Sequence, residues 1–106
     1  MRPISAPVKK KLELDPRMKL CPLRHNRLVE SCEGRVQWDH VWIYANHQID
    51  EVWAIVGVCE KHHKEKDGDR YIKRIIERES LLRSTPEDLA KYPRKNWQQI
   101  KKSLGL

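Results

Sequence analysis

Apolar and polar positions change rhythm three times along the chain. Residues 1 to 18 hold three prolines and the run Lys9-Lys10-Lys11, with no sustained periodicity, which predicts a basic, irregular arm. Val36 to Tyr44, "VQWDHVWIY", is rich in β-branched and aromatic residues and reads as strand, broken at Ala45-Asn46-His47-Gln48. A second apolar piece, Val52 to Val58, runs into Cys59, and Gly57 suggests a bend just before it. Beyond His63 the rhythm turns helical. Ile72, Ile75, Ile76 and Leu82 share one face and predict a helix over Arg70 to Arg83. Thr85-Pro86-Glu87-Asp88 is a helix start, a cap followed by proline at the first position and an acid at the third. Pro93 stops that helix, and Trp97, Ile100 and Leu104 mark a last amphipathic one ending at Gly105. The expectation is an α+β chain: arm 1–18, a compact centre 19–68, and a helical extension 69–106 packed on it.

Composition sharpens the picture. The chain has 106 residues and no phenylalanine, so four tryptophans and the aliphatics of residues 36 to 58 must supply the bulk of the core. A chain of this size buries a modest fraction of its surface, and a metal or a partner subunit would supplement it. The charged start does not resemble a signal peptide, and no apolar run approaches the roughly 20 residues needed to cross a bilayer. A cytoplasmic protein that does not engage a membrane is therefore expected. The net charge of +7 is uneven: residues 1 to 20 carry +4, residues 91 to 106 carry +5, and the middle is mildly acidic. Two basic ends around such a centre suit a polyanion held at the periphery, although ordinary solvated charge reads the same way.

The chemistry lies in two constellations. Cys21, Cys32, Cys59 and His62 form a credible tetrahedral Cys3His set for a structural Zn2+, the last two at knuckle spacing. The competing reading is three buried thiols with an exposed histidine, and His63 is the other candidate for fourth ligand. The second signal is Trp38-Asp39-His40-Val41. Neighbours on a strand point to opposite faces, so Asp39 and His40 serve one site only where the strand ends or bulges. A histidine near a metal-bound phosphodiester can act as general base, and an aspartate offers the hard oxygen that Mg2+ or Mn2+ prefers. A half-buried, salt-linked pair is the plain alternative.

Together, the cysteine pair, the Asp-His on a strand and the Cys-x-x-His-His entering a helix resemble the HNH nucleases of the ββα-metal class, over roughly residues 21 to 66. The wider stretch "WDHVWIYANHQIDEVWAIVGVCEKHH" and the tail "STPEDLAKYPRKNW" resemble small phage and prophage HNH-type proteins, for which DNA processing or recombination is the usual suggestion. The resemblance implies a zinc-stabilised ββα-metal core, His40 as general base, Asp39 and His63 as ligands of a catalytic Mg2+ or Mn2+, and DNA as substrate. Many relatives carry an asparagine that tethers the loop orienting the base. Ala54 stands there in this chain, leaving Asn46, His47 or Gln48 to supply the polar contact. Arg24, Arg27 and Arg35 beside the zinc loop, with Lys9, Lys10, Lys11, Lys101 and Lys102, are candidate phosphate contacts. Trp42, Trp53 and Trp97 are assigned to the core before base stacking. A symmetric homodimer would suit two-strand cleavage. The competing functions are a zinc-stabilised nucleic-acid-binding protein without hydrolysis, and a small interaction protein whose histidines are incidental.

Overall fold

In the computed structural model, which describes residues 4–106, strand β1 (Val36–His40) pairs antiparallel with β4 (Ile55–Cys59), from Val36 opposite Cys59 to His40 opposite Ile55. Every residue of β4 is buried, which is why its sequence runs apolar without alternation. Helix α2 (Glu60–Glu65) follows at once, with the Cys59 sulfur capping it by accepting from the His62 amide. Two strands and a helix thus meet at Cys59.

Between β1 and β4 the chain makes a small second sheet, which the sequence reading treated as the end of one long strand and a break. β2 (Ile43–Tyr44) and β3 (His47–Gln48) pair across Ala45 and Asn46, both at positive φ (50° and 66°). Two successive positive-φ residues are what the favoured two-residue hairpin turn requires.

The expected irregular arm is instead partly helical, and its first three residues lie outside the described ones. Helix α1 (Ala6–Glu13) tolerates Pro7 because it falls in the first turn, where no intrahelical N–H is needed. A 3-10 turn at Pro16–Lys19 follows, capped by the Asp15 carboxylate on the Arg17 amide. Leu12 and Met18 are buried with Ile55, and this apolar contact orders the segment despite its lysines.

Gly57 does not bend the chain. It sits mid-strand opposite Trp38, and its missing side chain admits the Met18 carbonyl: a Cβ there would lie 2.7 Å from that oxygen. The same oxygen accepts the Trp38 indole N–H at 3.2 Å. Gly57→Ala is therefore expected to cost about 1–3 kcal/mol, the usual range for overpacking. A shift in urea midpoint with unchanged slope would check it; an unshifted midpoint would show that the 3-10 turn yields freely.

Ile72, Ile75 and Ile76 of the expected face lie on α3 (Arg70–Arg83) against Val56, Val58 and Cys59, but Leu82 is exposed and Leu81 is the buried leucine. α4 (Pro86–Ala90) begins with both bonds of the capping box between Thr85 and Asp88. α5 (Trp97–Ser103) closes before Gly105, whose φ of +77° suits glycine. α4 and α5 bring Leu89, Trp97 and Leu104 against Trp42, Trp53 and Leu81. Three tryptophans are core, as their bulk suggested. Among the described residues no helix is long and apolar enough to cross a membrane.

Candidate functional site

The Cys3His set is assembled. The ligand atoms of Cys21, Cys32, Cys59 and His62 all lie within 4.8 Å of one another and could hold a metal such as zinc. The three sulfurs stand 3.7, 3.6 and 3.2 Å from His62 Nδ1. Zinc bonds of about 2.3 Å to sulfur and 2.0 Å to nitrogen, at tetrahedral angles, put sulfur and nitrogen about 3.5 Å apart. His62, fully buried, is thus the histidine that faces the thiols. Its Nε2 meets the Glu30 carbonyl at 2.8 Å. A carbonyl only accepts, so Nε2 carries the proton and Nδ1 offers its lone pair to the cluster. Lys61 pairs with Glu30 and so braces this loop from outside.

Electrostatics favour a cation here. Burial, then the neighbouring Cys59 and Cys21 thiols, push Cys32 up to about 12. Burial also works against Cys59, yet the His62 and Glu33 backbone bonds and the neighbouring thiols hold it below its ordinary value. A thiolate at Cys59 thus discourages a second at Cys32, and a bound cation would relieve that repulsion.

The opening residues of the second constellation part company, as strand alternation dictates. Asp39 is turned toward α2, where His63 Nε2 lies 3.4 Å from its Oδ1 and Lys66 Nζ 2.5 Å from its Oδ2. His63 Nδ1 is 2.6 Å from Gln37 Oε1. With that oxygen as acceptor the proton sits on Nδ1, and Nε2 turns a lone pair toward the Asp39 carboxylate. In the neutral ring two lone pairs then face each other, which a second ring proton or a cation between them resolves. His40 faces elsewhere: its Nε2 is 3.2 Å from Asp50 Oδ1. Its Nδ1 is buried without a hydrogen-bond partner among the described residues.

The tether expected from Asn46, His47 or Gln48 is made by other groups. Asn46 lies in the hairpin turn and His47 is exposed, while Gln48 buries an Oε1 that has no partner among the described residues. Asp50 contacts the histidine directly, and the Ala54 carbonyl accepts the Val41 amide at 2.9 Å, pinning the backbone just after His40. Ala54 itself is fully buried. Burial works to raise Asp50, but the Ser5 side chain, the Ser5 amide and then His40 hold its carboxyl below the ordinary value.

The candidate phosphate contacts are scattered. Lys9, Lys10 and Lys11 are exposed on α1; Arg24, Arg27 and Arg35 are exposed near the thiols, Arg24 donating to the Cys21 carbonyl. A groove of about 760 Å³ beside α3 is lined by Lys66, Arg70, Lys73 and Arg74, with Asp67 and Glu77 as its acids. Lys66 belongs to both this groove and the Asp39 contact. The sequence reading did not single out Gln37, Asp50 or Lys66. Gln37 is two residues before Asp39 on one strand face, and Lys66 three after His63 on one helix face, so spacing could have found both. No local spacing links Asp50 to His40. No family model, curated protein or solved structure matches the chain.

Proposed function

We propose that the protein is a metal-dependent endonuclease that hydrolyses phosphodiester bonds in DNA. The observation that carries this reading is the Asp39–His63 pair across β1 and α2, with His40 the next residue along the strand. Asp39 and His63 would hold the ion, and a bound Mg2+ or Mn2+ would supply charge stabilisation at the phosphate and at the departing 3′ oxygen. His40, carrying its proton on Nε2, has Nδ1 to accept a proton from water. Gln37 orients His63 and the Ala54 carbonyl holds the strand end. Lys66, Arg70, Lys73 and Arg74 would track the phosphate backbone up to the site, an attraction that weakens with salt.

One pair of observations favours a second reading, a zinc-stabilised DNA-binding protein without hydrolysis. Lys66 already neutralises one oxygen of Asp39, and the His40 side chain is only 2% exposed. Nicking of supercoiled plasmid in Mg2+ or Mn2+, with an EDTA control, separates the two. The expected result is cation-dependent nicking that falls at least about 100-fold in His40→Ala, the scale of a lost general base. Zinc content must stay equal in both proteins. Tight DNA binding with no nicking under any cation would establish the second reading instead.

A further inference from the structure

We infer that Asp50 is a positioning residue: it fixes the tautomer and orientation of His40 so that Nδ1, and not Nε2, is the basic nitrogen. This rests on the nuclease reading, in which His40 takes the proton.

The geometry is specific. Asp50 uses both carboxylate oxygens, Oδ1 on His40 Nε2 at 3.2 Å and Oδ2 on the Ser5 amide at 3.0 Å. A carboxylate donates nothing, so the proton between Asp50 and the imidazole belongs to Nε2, and in the neutral ring Nδ1 keeps the lone pair. The Ser5 amide prevents the carboxylate from rotating away. Ser5 begins α1, which Leu12 fastens to the core, and Ile49, beside Asp50, is buried and bonded to the Trp42 carbonyl. Asp50 is thus held from both sides, ten residues along the chain from the base it serves.

A structural histidine in the interior normally satisfies both ring nitrogens. Here Nε2 is held by Asp50, and the buried Nδ1 has no hydrogen-bond partner among the described residues, an arrangement costly for packing alone. In the step it serves, a water proton passes to Nδ1 as the water oxygen bonds to phosphorus. The bond from phosphorus to the 3′ oxygen breaks, and that oxygen takes a proton from solvent. The imidazolium formed lies against the Asp50 carboxylate.

The test exploits the Ser5 amide. In Asp50→Asn the side-chain carbonyl accepts the Ser5 N–H, which turns the NH2 toward Nε2 and forces the proton onto Nδ1. Asp50→Ala leaves the tautomer unrestrained. Plasmid nicking should therefore fall at least about 100-fold in kcat for Asp50→Asn with KM unchanged, and less for the more drastic Asp50→Ala. Zinc content and the near-UV spectrum serve as fold checks. Imidazole ¹⁵N spectra give a readout that does not depend on turnover: Nε2–H in the wild type, Nδ1–H in Asp50→Asn.

A wild-type rate in Asp50→Asn, with His40→Ala inactive, would overturn the role of Asp50 and leave the nuclease standing. So would a larger loss in Asp50→Ala than in Asp50→Asn, or a wild-type proton on Nδ1. Absence of nicking by the wild-type protein in any cation would remove the base, and the inference would fall with the reading it rests on.

Discussion

Cys59→Ala is expected to abolish cooperative folding rather than merely weaken it. Cys59 closes β4 opposite Val36, caps α2 through the His62 amide, and lies in the apolar cluster with Val56, Val58, Ile72 and Ile76. It is also one of the four residues that could hold the metal. Structural zinc in small domains is worth roughly 10–16 kcal/mol, while whole domains are stable by only about 5–15 kcal/mol. Loss of one thiol leaves the others crowded in the interior with no ion to share, so the cost is not offset by relaxation. Thermal unfolding followed by far-UV circular dichroism, with zinc-to-protein ratios measured in parallel, checks this. Strong chelation of the wild type should reproduce the mutant. A cooperative melt of Cys59→Ala within a few degrees of wild type would show that the apolar clusters carry the fold alone.

The second large effect belongs to the aromatic cluster. Trp42 meets Trp97 edge to face at 5.2 Å, and its indole N–H donates to Ser80 Oγ at 2.9 Å. Ser80 in turn donates to the Trp53 carbonyl at 2.7 Å, so Trp42 anchors a buried polar relay as well as a packing contact. Trp42→Ala is expected to lower stability by about 3–5 kcal/mol, the range for buried Trp truncation. For a domain of this length that shifts the melting temperature by roughly 15 °C or more. Urea unfolding would measure it, with Trp38→Ala, only half buried, costing less. Equal costs for the two would mean that the Trp42 cavity collapses.

What was legible in the sequence was whatever repeats at short range. The isoleucine face of α3, the Thr85 cap and the Cys59–His62 knuckle each lie within one helical turn or a run of them, and each is found where spacing put it. The tryptophans were assignable by bulk alone. Where the reading departed, tertiary contact decided. α1 is ordered by Leu12 docking on Ile55, against a local sequence of prolines and lysines. Gly57 answers to Met18, nearly forty residues before it, rather than to its own neighbours. In the candidate site, Asp39 and His63 are brought together by the β1–α2 junction, whereas His40 is turned by alternation to Asp50. Asp50 carries no periodic signature, because a loop carboxylate is placed by the elements on either side of it.

The two main apolar clusters differ in when they can close. The thiol-lined one has its four candidate ligands within residues 21 to 62 and is completed by Ile72 and Ile76 of α3, so all its parts are synthesised before α5. The aromatic one must wait for Trp97 and Leu104. Throughout that interval Trp42 and Trp53 lack their cover, and the nascent chain carries an apolar face beside four candidate ligands that are already in hand. Vectorial synthesis thus sets an order of assembly: the part that would carry the chemistry forms first, and the helices that seal its far side arrive last.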